Sequence, residues 1–286
     1  MNRRDFLKAV GVGVVASGVR PSDLWAGYGK SSSPDASNSA PKFRDEDLDN
    51  YLSKIRDFDR DYPNDTQLDE KRYRLLKSTL NRFLAIQKRI GHAGFHLLDF
   101  DDALKLARNN ANIGAFTSEE LDFLENIFYE TASEYGFLGD KPMKNLTDRI
   151  PLREVIKIPS TGNFLYKGLP LKTYLQVKKA LGDKVILTSG VRGVSKQFLL
   201  FLNKANESQG NLSRASRSLA PPGYSYHGIS DFDVGQKDFG AANFTARFVT
   251  TEVYQRLVEL GFLQLRYPRD NLLGVRFEPW HIKVNT

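Results

Sequence analysis

The sequence predicts an α+β protein with a small, mainly antiparallel sheet flanked by helices and preceded by an N-terminal helical module. Apolar residues recur at helical spacing from about residue 45 to 137, and short β-branched segments follow Gly139. These later segments are joined through helices and long loops without the regular strand–helix alternation of a parallel sheet, which favours antiparallel pairing. Hydrophobic residues make up 41% of the 286 residues, enough for a substantial core.

The first 26 residues have the order of features found in an export signal. The basic start NRRDFLK precedes the uncharged stretch AVGVGVVASGV, whose eleven residues are too few to cross a bilayer, and DLWA ends at Ala26. The RRDFLK sequence resembles the twin-arginine type of signal. We therefore expect residues 1–26 to be a cleaved twin-arginine signal peptide. We also expect the twin-arginine export machinery to be a partner and the mature protein to be periplasmic, with no membrane span.

The composition of residues 27–44 predicts a flexible linker. The helical spacing of apolar residues predicts a helical module over residues 45–145. The linker sequence GYGKSSSPDASNSAP is small, polar and rich in turn formers. In the module, LDEKRYRLLKSTLNRFLAIQKRI carries an apolar stripe at helical spacing. A second helix is predicted in FTSEELDFLENIFYETASEYGF, where Thr117 and Glu120 occupy the positions of a capping box.

A second domain is predicted over residues 146–286. KVILTSGVR (184–192) predicts a strand that runs into a glycine turn, and VSKQFLLFLNKANESQG (194–210) predicts an amphipathic helix. SLAPPGYSYHGISDFDVG (218–235) predicts a proline–glycine loop that leads into an extended segment. TTEVYQRLVELGF (250–262) predicts another helix, and FLQLRY and GVRFEPWHIKV predict two more strands.

Charge and cysteine content exclude several classes of protein. The net charge is +7, but charges of both signs are interspersed, and neither a lysine-rich arm nor a glycine–aromatic RNA motif is present. Mild basicity suits an anionic polymer such as a cell wall, although a soluble protein that is merely basic fits equally well. The chain has no cysteine, which excludes a thiol nucleophile, a disulfide framework and cysteine-ligated zinc. Any metal must be held by His, Asp or Glu.

Two of the four histidines, His92 and His96, lie four residues apart in GHAGFH. That spacing places two imidazoles on one face of a helix. A zincin-type helix needs a glutamate directly after the first histidine, and Ala93 stands there instead. The two glycines in the stretch favour a helix end. A structural or surface role is therefore the favoured interpretation.

A third histidine, His227, is followed by Asp231 and Asp233 in YSYHGISDFDVG. Along a straight strand, the α-carbons of His227 and Asp233 would lie about 20 Å apart. These residues can share a metal only if the chain folds back between them, and Gly228 and Ser230 are suitable turn formers. Taken alone, the pattern fits a β-turn with exposed acids better than a metal site.

The stretch VRFEPWHIKV places Glu278 and His281 three residues apart, an offset that points them to opposite faces of a regular strand. Pro279 cannot donate to a ladder, so a kink there can turn Glu278 toward the cavity of His281. Arg192 follows a predicted strand, and Gln197 lies one turn into the next helix. Two histidines, an aspartate, a glutamate and an arginine are the residues of a mononuclear zinc hydrolase.

Three blocks, SGVR…Q, PPGYSYHG…DFDVG and EPWH, resemble the VanY-like D-alanyl-D-alanine carboxypeptidases, zinc peptidases of the bacterial cell wall, over roughly residues 155–286. The resemblance implies a zinc-dependent D,D-carboxypeptidase that hydrolyses the D-Ala-D-Ala amide of peptidoglycan stem peptides. A D,D-endopeptidase and a non-catalytic cell-wall-binding module that keeps the fold are the alternatives, and Glu278 favours an enzyme. By position, the resemblance implies His227, Asp233 and His281 as zinc ligands, Glu278 as catalytic base, Arg192 as the group that polarises the scissile carbonyl, and Ser225 and Gln197 as residues of the substrate site.

The spacing of the second block departs from the family pattern Ser-x-His-x-x-Gly-x-Ala-x-Asp. Five residues, not six, separate His227 from Asp233, which makes Asp231 a rival for the third ligand position. A deletion in the turn after His227 would keep Asp233 at the family's Asp position, because loops shorten most easily. We therefore expect Asp233 to be the ligand and Asp231 to support one.

Overall fold

The computed structural model describes residues 45–284, so the predicted signal peptide (1–26) and linker (27–44) lie outside the described residues. The described residues belong to one compact unit. Within them, no helix has both the length and the apolar character needed to span a membrane. The boundary at 145/146 between the predicted module and domain stays a prediction.

The N-terminal part is helical, as the sequence predicts. Asp69 caps the second helix by accepting from the backbone N–H of Arg72, and the predicted capping box of Thr117 and Glu120 is present. The helices of this part are α1 (Asp45–Arg56), α2 (Glu70–Leu97), α3 (Phe100–Arg108) and α4 (Ser118–Tyr129), followed by a 3₁₀ turn at Ala132–Tyr135.

Helix α2 is kinked at Gly91, whose φ of +81° lies in the left-handed region that L side chains rarely adopt. The kink separates the long first part of α2 from its last turns, which carry His92 and His96. The carbonyl of His96 accepts from the backbone N–H of Gly193 at 2.8 Å. The end of α2 is thereby fixed to the loop that carries Arg192.

The C-terminal part contains two small antiparallel sheets, which confirms the predicted fold class. One sheet pairs β1 with β2, and the other has the order β3-β4-β5. The elements are β1 (Val155–Lys157), β2 (Phe164–Tyr166), α5 (Leu169–Leu181), β3 (Val185–Ser189), α6 (Val194–Glu207), α7 (Leu212–Ser218), β4 (Phe232–Gln236), α8 (Glu252–Glu259) and β5 (His281–Ile282), with 3₁₀ turns at Leu152–Glu154, Gly182–Lys184, Tyr226–Gly228, Gly240–Phe244 and Ala246–Thr250.

The two predicted C-terminal strands are much shorter than expected. FLQLRY forms a single bridge, Leu265 to Ile282, and GVRFEPWHIKV contributes only His281–Ile282 as a strand. Pro279 has no N–H to donate, and the chain turns just before it reaches β5. The prediction of two further strands therefore holds only for His281–Ile282, and the residues before β5 form the turn that carries Glu278.

Two hydrophobic clusters hold the site between them. The larger one joins the N-terminal helices to α6, and the rings of Phe83 and Phe198 stack with centroids 6.0 Å apart. The smaller cluster packs the three-stranded sheet against α5 and α8 and includes Phe232 and Trp280. Strand β4 and the loop after β3 therefore rest on packed side chains.

Candidate metal centre and active site

Strand register places Asp233 at the centre of the three-stranded sheet. Asp233 pairs with Ser189 of β3 on one side and with His281 of β5 on the other. His227 lies in the 3₁₀ turn that precedes β4. In this turn, the backbone N–H groups of Ser230 and Asp231 both bond to the carbonyl of Tyr226. The chain thus folds back between His227 and Asp233, as sharing one metal requires.

His227, Asp233 and His281 form a compact buried group. One ligand atom from each residue lies within 4.8 Å of the others, and no further group of this kind occurs among residues 45–284. Asp233 Oδ1 is 3.3 Å from His227 Nε2 and 3.3 Å from His281 Nδ1. The structure therefore brings together the three residues that the sequence predicts as metal ligands.

Two atoms of this group have no hydrogen-bond partner although they are buried: His227 Nε2 and Asp233 Oδ1. Buried polar atoms without partners are rare because each costs free energy. The other ring nitrogen of His227, Nδ1, contacts the carbonyl of Gly190 at 2.8 Å, which leaves Nε2 free to bind a metal. Two imidazoles and a carboxylate, with room for water, suit catalytic zinc.

Asp231 contacts the far side of the His281 ring. Asp231 Oδ2 lies 2.9 Å from His281 Nε2, and Oδ1 accepts from Arg266 at 3.1 Å and from the backbone of Val284 at 3.0 Å. Arg266 in turn packs over the Tyr226 ring, 3.4 Å from its centroid. Asp231 therefore orients the imidazole so that Nδ1 faces Asp233, and its own oxygens are occupied by these partners.

Both aspartates have lowered pKa values. Burial alone raises the pKa of Asp233, but its interactions with His227 and with the guanidinium of Arg192 outweigh it and hold that pKa below its usual range. Burial likewise raises the pKa of Asp231, and hydrogen bonds from His281 and Arg266 overcome this effect. Both carboxyl groups are therefore ionised at neutral pH.

The two histidines of the group have opposite pKa shifts. Burial, then the charge of Arg192, lowers the pKa of His227, so its ring is neutral and can offer Nε2 as a ligand. Burial also lowers the pKa of His281, but hydrogen bonds to Asp231 and Glu278 outweigh it and raise the pKa to about 9. A metal that binds to His281 must therefore displace the proton from Nδ1.

Arg192 holds the second oxygen of Asp233. Its Nη2 donates to Asp233 Oδ2 at 2.6 Å, and its Nε donates to Ser189 Oγ at 2.8 Å. The backbone N–H of Arg192 also bonds to the carbonyl of His227 at 3.0 Å. Arg192 lines the cavity beside the group, and its predicted contact with the scissile carbonyl stays a prediction.

Glu278 lies beside the group of His227, Asp233 and His281, on the turn before β5. Its backbone carbonyl accepts from the N–H of His281 at 3.2 Å, and its own N–H donates to the carbonyl of Tyr267. A regular strand would point Glu278 and His281 to opposite faces, because they lie three residues apart. The turn instead brings Glu278 Oε2 within 3.5 Å of His281 Nδ1. Glu278 lines the cavity, close to the candidate ligands but outside their group.

The two predicted substrate residues have different locations. Ser225 lines the cavity, two residues before His227. Gln197 is buried and does not line the cavity. Its amide donates to the carbonyl of Arg192 at 2.9 Å and accepts from the N–H of Gly223 at 2.8 Å. Gln197 thus links the loop that carries Arg192 to the loop that carries Gly223. Its contact with substrate stays a prediction.

The cavity beside the group has a volume of about 530 Å³ and includes residues that the sequence analysis did not assign to the site. Lys196, His92 and His96 line it, although the favoured interpretation gave both histidines a structural or surface role. The sequence signal that could have found them is the histidine pair directly after a glycine inside a helical pattern. Nothing else in the sequence indicates that the helix is kinked at Gly91.

Comparison with known proteins gives one family match. Residues 170–285 match the family model described as VanY: D-alanyl-D-alanine carboxypeptidase. No curated protein sequence matches the chain.

Several solved structures are similar to this chain. The vancomycin resistance D,D-pentapeptidase VanY from a VanB-type resistance cassette, a mutant in complex with Zn(II), is 25% identical, with a TM-score of 0.36 over 46% of this chain and 80% of that one. VanYB in complex with D-Alanine-D-Alanine is 23% identical, with a TM-score of 0.35 over 45% and 75% of the two chains. The LdcB LD-carboxypeptidase is 23% identical, with a TM-score of 0.34 over 42% and 58%. The three motif blocks of the sequence all lie within residues 170–285, the part of the chain that matches this family model.

Proposed function

We propose that the protein is a zinc-dependent D,D-carboxypeptidase that hydrolyses the D-Ala-D-Ala amide of peptidoglycan stem peptides. The observation that carries the proposal is the buried group of His227, Asp233 and His281, in which His227 Nε2 and Asp233 Oδ1 have no hydrogen-bond partner. Glu278 lies beside this group and lines the same cavity. The family match over residues 170–285 supports a peptidase.

In the proposed mechanism, the chain's residues bind, orient and move protons. Zinc held by His227 Nε2, Asp233 Oδ1 and His281 Nδ1 would lower the pKa of a water molecule to about 7 and polarise the scissile carbonyl. Glu278 takes the proton from the attacking water and returns it to the leaving amine. Arg192 stabilises the negative charge that develops on the carbonyl oxygen.

The alternatives differ in the products that they predict. A D,D-endopeptidase cleaves cross-links and releases no free D-alanine, whereas a cell-wall-binding module releases nothing. The location of Glu278 beside the ligand group favours an enzyme, because binding alone has no use for a base there.

Products released from purified peptidoglycan test the proposal. We expect incubation with the zinc-loaded protein to release D-alanine and to shorten stem pentapeptides by one residue, as resolved by mass. A chelator should abolish the release and added zinc should restore it, because the ligand group acts only with its metal. Cross-link cleavage without free D-alanine would establish the endopeptidase, and no product with zinc bound would establish a binding module.

We also propose that the protein acts in the periplasm after export by the twin-arginine route. The motif that supports this proposal, RRDFLK, lies outside the described residues. Replacement of Arg3 and Arg4 by Lys should stop export of a periplasmic reporter fused to residues 1–44, because this route reads the arginine pair. A fusion with Lys8→Arg, which keeps the pair, is the control. Unchanged export of the double variant would refute the route.

A further inference from the structure

Lys196 is a buried cation in the cavity wall. The residue is only 7% exposed, and its Nζ donates to Gln87 Oε1 at 3.0 Å. No carboxylate of residues 45–284 lies within ion-pair distance of Nζ. An ammonium group has three donors, so the bond to Gln87 leaves donors free. A buried charge without a counter-ion costs free energy, which an anionic ligand in the cavity would offset.

His96 provides a second unused polar group in the same wall. The residue is 8% exposed, and its Nδ1 is buried without a hydrogen-bond partner. Burial, and then the charge of Lys196, lowers the pKa of His96 to about 3, so the ring is neutral. A neutral imidazole can donate one hydrogen bond, and the buried Nδ1 has no partner in the protein.

The remaining charged residues of the cavity wall, which include the cation Arg276, favour an anion in the cavity. Its lining contains two carboxylates, Asp233 and Glu278, and both belong to the proposed metal and catalytic residues. Arg192 already pairs with Asp233. Lys196 is therefore a cation in the cavity wall, and no carboxylate among residues 45–284 forms an ion pair with it.

We propose that Lys196 and His96 bind a carboxylate group of the peptide substrate. The inference rests on the proposed function for its substrate class, since stem peptides carry carboxylates both at the C-terminus and on acidic residues. The ammonium of Lys196 and one N–H of His96 would each donate to the carboxylate, and charge-assisted bonds of this kind are among the strong ones. The helical segment before residue 170, which the family match does not reach, thereby takes part in substrate selection.

Three peptides separate the two sources of carboxylate: a stem pentapeptide that ends in D-Ala-D-Ala, its C-terminal amide, and the form with its side-chain carboxylates amidated. Binding to zinc-loaded Glu278→Gln protein is measured by calorimetry, so that no peptide is consumed. We expect one amidated form to bind about tenfold or more weakly than the parent peptide, because it loses a charged hydrogen bond. The form that loses affinity identifies the carboxylate.

Lys196→Met in the same background should weaken binding of the parent peptide by about tenfold or more and leave the affinity of that weakly binding amide unchanged. Lys141→Met is the matched control, because burial also lowers the pKa of Lys141 to about 8, as it does for Lys196, yet Lys141 does not line the cavity. We expect this variant to bind like the parent. If Lys196→Met does not fold, Lys196→Gln carries the same test.

Equal affinity for all three peptides, or an equal loss for all three in the Lys196 variant, overturns the carboxylate site. This outcome is distinct from failure of the proposed function. Wild-type protein that hydrolyses the parent peptide without discriminating the amides keeps the function and loses the site. Protein that discriminates the peptides in binding but hydrolyses none keeps the site and loses the function.

Discussion

Glu278→Gln should lower the turnover of peptide substrates by about 10²- to 10⁴-fold, the usual contribution of a general acid–base group. The amide keeps the size of the side chain but cannot take a proton from the attacking water. Zinc content should stay at the wild-type level, because Glu278 lies outside the group of His227, Asp233 and His281. The fold should also persist, because the backbone bonds of the Glu278 turn do not involve its carboxylate.

Turnover, zinc per chain and the thermal unfolding midpoint are measured together on the purified variant. Glu259→Gln is the matched control, since it removes an exposed carboxylate that pairs with Arg256 on the surface of α8, away from the cavity. The control should turn over like the wild type, because exposed ion pairs contribute little to stability. Near wild-type turnover of Glu278→Gln would remove Glu278 from the mechanism, and loss of zinc would make it a ligand.

Asp233→Ala should lose zinc at stoichiometric metal, and turnover should disappear with it. The variant removes the central ligand atom, Asp233 Oδ1, which lies 3.3 Å from a nitrogen of each histidine. Asp231→Ala should retain zinc but bind it about 10- to 100-fold more weakly, the usual cost of losing a group that orients a ligand. Metal content after dialysis against graded chelator concentrations checks both expectations.

Arg266 complicates the Asp231 variant, because Asp231→Ala leaves this largely buried cation without its carboxylate partner. Breaking a buried pair costs about 3–5 kcal/mol, enough to unfold a marginal protein. Asp231→Asn is therefore measured beside it, since an amide oxygen can still accept from His281 Nε2. Zinc loss in the Asp231 variants alone would reverse the ligand assignment, and zinc retained in all variants would place the third ligand elsewhere.

Local sequence signals predicted much of the architecture. The apolar stripe of α2 and the capping box of Thr117 and Glu120 are determined within one helix, so spacing alone finds them. The fold class followed from the change of pattern after Gly139. The C-terminal strands were predicted too long, because hydrogen bonding there depends on a turn at Glu278 and on partners distant in the chain.

The candidate site was only partly visible in the sequence. The three motif blocks supplied His227, Asp233 and His281, but their approach depends on cross-strand register, which residue spacing does not contain. The contributions of His96 and Lys196 to the cavity depend on the kink at Gly91 and on the packing of α2 against α6. Such tertiary contacts have no periodic signal in the chain.

We expect the stack of Phe83 on Phe198 to couple the helical segment to the candidate metal site during unfolding. Phe198 lies on α6, directly after Lys196 and Gln197, and its ring also contacts Phe100 and Phe128 of the N-terminal helices. Opening these helices exposes buried aromatic surface on α6, so the loop that carries Arg192 loses its support in the same event. We therefore expect the backbone amides of α2 and of the Arg192 loop to exchange with solvent through the same cooperative opening of the structure. The rigidity of the candidate metal ligands should thus depend on residues before 170, beyond the family match.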